Sequence, residues 1–167
     1  DADSVFLENT VTNLIRPFCD KNVVAVAGNV KVANRNKLLN KHQAIEYISG
    51  LNLQRRSFSI MGCPQVISGA IGAFRKKDLI EAGAYSSDTL VEDMDITVSL
   101  LENGGKIEYN SNAVAYTEAP ENIRDFVKQR YRWVFGGFQV LKKHYNLIFN
   151  PKYKSLGVVG LPYFSMD

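Results

Sequence analysis

Cysteine is scarce in this sequence: among 167 residues there are two, Cys19 and Cys63. That is too few for a disulfide scaffold, and neither sits in the paired spacing of a zinc site. Both read as reduced core thiols of a cytosolic compartment. An excess of one charge is also missing. The formal net charge is +3, which gives nucleic-acid binding little support and confines any cationic surface to a local patch. No apolar run reaches the ~20 residues that a membrane-spanning helix needs. The nearest, Ser155 to Met166, reads either as the start of a membrane helix or as a buried terminal stretch. Internal repeats and low-complexity tracts are absent, and a composition of 46% hydrophobic and 22% charged residues excludes disorder and collagen-like repeats as the main account. There is no initiator Met and no signal peptide. The chain opens at Asp1 inside a motif and reads as a piece of a longer protein.

What is present is an alternation of helical and strand-like patterns. Val5 to Phe18 carries apolar residues at helical spacing, and Val23 to Val30 reads as a buried strand. Leu38 to Phe58 again looks helical, with Arg55 and Arg56 near its end, where basic residues suit the helix dipole. Small and apolar residues alternate from Gln65 to Arg75, followed by a short helix from Lys76 to Gly83. Thr89 and Glu92 have the spacing of a capping box that opens a helix running to about Glu102, ended by Asn103-Gly-Gly. Lys106 to Tyr109 and Ala113 to Tyr116 read as short strands. A long helix follows from about Glu121, with Gly136-Gly137 as the expected kink. This order implies an α/β fold with a mixed, mostly parallel sheet flanked by helices.

Three constellations carry chemistry. Asp1 and Asp3 stand at i and i+2, so on an extended chain both carboxylates face one way and can hold one divalent cation. The same spacing at Asp93 and Asp95 shows how readily the pattern arises by chance. Glu92-Asp93 falls in the first turn of a helix, where acidic side chains favour the dipole; a half-buried carboxylate there is equally suited to act as a general base. Gln129, Arg132 and Trp133 occupy i, i+3 and i+4 of a helix and project an amide, a guanidinium and an indole from one face. That set suits a diphosphate and a sugar ring; a buried Trp beside a surface Arg is the plainer alternative. Around it, Arg124, Lys128, Arg130, Lys142 and Lys143 interleave with Ile123, Phe126, Val127, Tyr131, Val134, Phe135 and Phe138. This pattern fits an anionic membrane surface, or a core helix with one charged face.

Taken in order, Asp1-Ala-Asp3, Ser68-Gly69-Ala70, Val91-Glu92-Asp93 and Gln129-Arg-Tyr-Arg132-Trp133 resemble the processive family-2 glycosyltransferases, the synthases of cellulose, chitin, hyaluronan and poly-N-acetylglucosamine. The resemblance implies an incomplete nucleotide-diphospho-sugar transferase fold. Residues 1–120 would be the acceptor-side half of the catalytic domain, 121–154 an amphipathic helix carrying the Gln129 to Trp133 motif, and 155–167 an apolar segment. It further implies an inverting transfer from a nucleotide diphosphate sugar, UDP-linked, to a growing β-linked polysaccharide, in a catalytic domain on the cytoplasmic side of a membrane. Asp3 would bind Mg2+ or Mn2+ with Asp1 beside it. Asp93 would deprotonate the acceptor hydroxyl with Glu92 next to it in the substrate site, Gln129 and Arg132 would hold the diphosphate, Trp133 would stack under the acceptor sugar, and Ser68 and Gly69 would line the pocket. The upstream nucleotide-binding strand and aspartate of such enzymes lie outside this chain, so weak or no activity is expected of it alone.

Other functions remain compatible with the residues. A single-addition glycosyltransferase acting on a lipid or protein would share the metal pair and the base. A non-catalytic carbohydrate- or membrane-binding module would use the acidic pairs as helix caps. Metal-dependent phosphoryl hydrolysis would need more clustered acidic ligands than the sequence offers.

Overall fold

The computed structural model describes residues 2–53, 55, 56, 58 and 66–164. A four-stranded mixed sheet has the order β1 (Val5–Phe6), β4 (Lys106–Thr117), β2 (Val23–Val32), β3 (Gly72–Phe74). The central pair, β2 and β4, is parallel and holds the longest register, from Val23 opposite Lys106 to Val32 opposite Thr117. The short strands β1 and β3 pair antiparallel at its edges. Nearly every residue of β2 is buried, as a run such as Val-Val-Ala-Val-Ala requires when both faces are covered. One face packs under Leu14, Ala44, Tyr47 and Ile71, the other under Ile67, Ile96 and Leu100.

The N-terminal helical pattern resolves differently from its spacing. Val5 and Phe6 pair with Tyr116 and Ala115 of β4. Helix α1 is confined to Thr10–Ile15, and a 3-10 turn, Arg16–Cys19, follows with Pro17 in its first turn. Leu7, Val11 and Ile15 are exposed, while the Thr10 hydroxyl donates to Val114 O at 2.6 Å and fixes α1 to β4. Cys19 is exposed, which corrects its reading as a core thiol; Cys63 lies outside the described residues.

Helix α2 (Leu38–Glu46) continues as a π-helical segment, Tyr47–Leu53. Arg55 does not reach solvent beyond it. It is 5% exposed, with Nη1 3.5 Å from Gly28 O. After β3 come α3 (Lys76–Glu81) and α4 (Glu92–Glu102). The expected capping box is not formed: Val91 occupies the N-cap without a side-chain bond, and Thr89 Oγ1 is buried without a partner. Glu92, Asp93 and Asp95 crowd the first turn instead, where the dipole favours them. Gly104 ends the helix at φ +80°.

The two short strands expected after it are one, β4, whose Asn110-Ser111-Asn112 segment lies at a register shift and bonds to Asn13 and Asn29. Helix α5 (Ile123–Lys143) is capped by Asn122, which accepts from Asp125 N, and is continuous through Gly136-Gly137. Gly136 serves close approach there: a Cβ would meet Val91 Cγ2 at 2.8 Å. The chain then folds back through short 3-10 and π turns to α6 (Leu161–Phe164). Leu147, Leu156 and Leu161 are buried with Val91, Met94, Val98 and Val140, so α4, α5 and the last segment share one core. Among the described residues no helix is long and apolar enough to cross a membrane.

Candidate active site

Asp93 sits in the first turn of α4, half-buried, and is held from two sides. Its Oδ2 accepts the backbone N–H of Gly69 at 3.1 Å, and its Oδ1 accepts that of Met94 at 2.9 Å. The loop bearing Ser68 and Gly69 is latched to the same turn a second time. Ile67 N donates to Thr97 Oγ1 at 3.0 Å, and that hydroxyl donates to Asp93 O at 2.6 Å. Burial raises the Asp93 pKa; the Gly69 and Met94 N–H groups oppose the rise, the neighbouring Glu92 charge adds to it, and Arg55 opposes it. A carboxylate so placed is aimed by backbone donors and destabilised as an anion, which are the two properties a base needs.

Helix α5 crosses the N-terminus of α4 at Gly136 and Gly137, which face Val91 and Met94 on either side of Glu92-Asp93. One turn earlier, Trp133 packs partly buried against the cluster of Val91 and Met94 as well as against the sheet. Gln129 lies on the same buried side, and its Oε1 is buried without a hydrogen-bond partner. An unsatisfied buried acceptor costs about 1–3 kcal/mol, which a ligand hydroxyl would relieve. Arg132 is exposed, so the three side chains divide into two inward and one outward.

Two residues that spacing did not reveal complete the neighbourhood. Glu46 takes the Arg130 guanidinium in a two-pronged ion pair, 2.6 and 2.7 Å, and that guanidinium lies 4.4 Å from the Trp133 ring centroid and 4.8 Å from that of Phe126. Tyr47 is buried beside them; burial raises its pKa, and the charges of Arg130, Glu46, Arg55 and Asp3 act on its hydroxyl. Asp3 is thereby near the α2 and α5 residues, while Arg55 links the same group to Asp93. The pairing of Glu46 with Arg130 joins positions 84 apart, which only the topology brings together.

Asp3 lies exposed in a turn rather than on an extended strand, and Asp1 lies outside the described residues. Among the described residues no group of three His, Cys, Asp or Glu side chains gathers as a metal site. The Asp3 carboxylate is a hard oxygen donor, which fits Mg2+ or Mn2+: such ions bind through one or two carboxylates together with substrate phosphates.

Comparison with known proteins gives the family and the fold. Over 146 residues the chain is 32% identical to the poly-beta-1,6-N-acetyl-D-glucosamine synthase of Staphylococcus aureus (strain COL), and over 147 residues 34% identical to that of Staphylococcus epidermidis. Each match takes in 87% of this chain and 35% of the relative, so the chain spans about a third of the length of these curated relatives. A mannosyltransferase from Pyrobaculum calidifontis, solved in complex with GDP-Man and Mn2+, has the same fold. Its TM-score is 0.64 at 16% identity, over 99% of this chain and 47% of that one. The family described as glycosyl transferase family group 2 matches residues 1–165, and the chain belongs to it.

Proposed function

We propose that the chain is the acceptor-side part of an inverting, metal-dependent, processive glycosyltransferase that extends a β-linked polysaccharide from a UDP-linked sugar. N-acetylglucosamine is the sugar its curated relatives point to. The observation that carries the reading is Asp93, fixed by Gly69 N–H, its pKa raised by burial, beside the helix that bears Gln129 and Trp133.

In this reading Asp93 takes the proton of the acceptor hydroxyl as its oxygen bonds to the anomeric carbon, and the bond from that carbon to the diphosphate breaks on the opposite face. One displacement inverts the centre and needs no covalent enzyme intermediate. Positioned general bases contribute about 10²–10⁴-fold. Asp3, with Asp1, would hold Mg2+ or Mn2+, which neutralises charge on the leaving diphosphate when bound. Arg132 and the Gln129 amide serve the diphosphate, Trp133 carries the acceptor ring, and Ser68 and Gly69 line the space between. The Mn2+ and GDP-Man bound by the mannosyltransferase of the same fold support a divalent metal and a nucleotide-sugar donor.

We also assign α5 to the membrane surface. Its Ile123, Val127, Tyr131, Val134 and Phe138 are exposed, recur at helical spacing on one side, and are interleaved with Arg124 and Lys128, a pattern suited to the cytoplasmic leaflet.

Product length tests the processive reading against single transfer. The full-length protein given UDP-N-acetylglucosamine and Mg2+ or Mn2+ is expected to yield long chains; a product that grows by one residue only contradicts it.

A further inference from the structure

Resting on the acceptor role of Trp133, we infer that Glu46 is a positioning residue that sets which face of the indole receives the sugar. Glu46 and Arg130 form a two-pronged ion pair. Both oxygens of Glu46 meet both terminal nitrogens of Arg130, at 2.6 and 2.7 Å, a fork-to-fork contact that fixes the plane of the guanidinium as well as its place. The two side chains keep only 25% and 37% of their exposure, so the pair is shielded from much of the solvent that weakens surface ion pairs.

Held this way, the guanidinium covers two rings at once, Phe126 one turn before it and Trp133 less than one turn after. A cation within ~6 Å of an aromatic centroid is attracted to its face, and Arg130 at 4.4 Å from the Trp133 centroid occupies one face of the indole. The ring is partly buried and also packs against the Val91 and Met94 cluster and against the sheet cluster. With the guanidinium on one face, a sugar is left the side that Arg130 does not cover. Without Glu46, Arg130 would keep only its contacts to the two rings; its Nε is already buried without a hydrogen bond, and solvent would draw the guanidinium off the indole. Glu46 thus acts on the acceptor through Arg130 and Trp133 while touching no substrate itself.

The test is acceptor kinetics in the full-length protein with soluble β-linked N-acetylglucosamine oligosaccharides at saturating donor. Glu46→Gln is expected to raise the acceptor KM about tenfold, leave the donor KM unchanged and keep kcat within about twofold, with the melting temperature little altered. Glu46→Asp restores part of the loss. Arg130→Lys, which keeps the charge and loses the fork, reproduces the effect, and the double substitution is no worse than either single one. Should both single variants fold and leave acceptor KM unchanged, or should donor KM, acceptor KM and melting temperature all move together, the positioning role is overturned. Absence of transfer by the wild-type protein overturns the glycosyltransferase reading itself and the role of Glu46 with it.

Discussion

The backbone N–H of Gly69 donates to Oδ2 of Asp93 at 3.1 Å, so the loop of small residues and the acidic first turn of α4 form one unit. Burial holds the Asp93 pKa above the ordinary carboxylate value, and the charge of Glu92 pushes it the same way. A base works only when deprotonated, so activity falls as pH drops through that raised value. The acid limb of kcat/KM for the full-length enzyme is expected above the usual carboxylate range near pH ~4, and Glu92→Gln is expected to move it to lower pH. A limb that stays put in Glu92→Gln contradicts the electrostatic assignment.

The same shift has a stability consequence of opposite sense. Because the native state favours protonated Asp93, it binds the proton more tightly than the unfolded chain, and stability rises as pH falls through the window between the raised and ordinary values. Asp93→Asn therefore does not lower the melting temperature at neutral pH. A marked loss by calorimetry would show that the carboxylate is a structural support.

Gly136 and Gly137 are neighbours in α5 with different surroundings. A Cβ on Gly136 would lie 2.8 and 2.9 Å from the Val91 methyls and 3.2 Å from Val91 N, whereas on Gly137 the nearest atom is Met94 Sδ at 4.0 Å. Gly136→Ala is expected to destabilise by about 1–3 kcal/mol through overpacking, and Gly137→Ala to stabilise by about 0.5–1 kcal/mol through helix propensity. Denaturant titration of the two variants gives opposite signs if α5 is pressed against the start of α4 as described.

Asp95, two residues past the base, is 3% exposed in its side chain and receives Lys143 Nζ at 2.9 Å and meets His144 Nε2 at 3.0 Å. It ties α4 to the end of α5. The Lys143 side chain is 35% exposed and keeps Asp88, and His144 keeps Glu102. Removing Asp95 therefore costs the hydrogen bonds of one buried carboxylate, about 1–3 kcal/mol, and a chain of this size loses about 2–4 °C per kcal/mol. Asp95→Ala is expected to lower the melting temperature by about 5 °C; a change below about 1 °C would mean the cluster is idle.

These elements differ in how far the sequence revealed them. The buried strand β2 and helices α4 and α5 follow from apolar runs and helical spacing, and Trp133 packs against the cluster of Val91 and Met94, the residues that flank Glu92-Asp93. The two-residue strand β1 was hidden, because Val5 and Phe6 fit a helix as well as an edge until β4 is beside them. Local spacing also misread Thr89 as half of a capping box, where the chain buries its hydroxyl instead. Glu46 and Arg55 were invisible as site residues because their partners are Arg130 and Gly28, distant in sequence and joined by the sheet.

Asp93 is proposed as the base of a sugar transfer. The most direct measurement gives the full-length protein a panel of labelled nucleotide sugars with Mg2+ or Mn2+ and follows polymer formation with and without Asp93→Asn. The expected result is polymer from one donor, reduced about 10²–10⁴-fold by the substitution while folding and donor binding persist. Equal polymer from Asp93→Asn, or no consumption of any donor by well-folded protein, would contradict it and favour a carbohydrate-binding module.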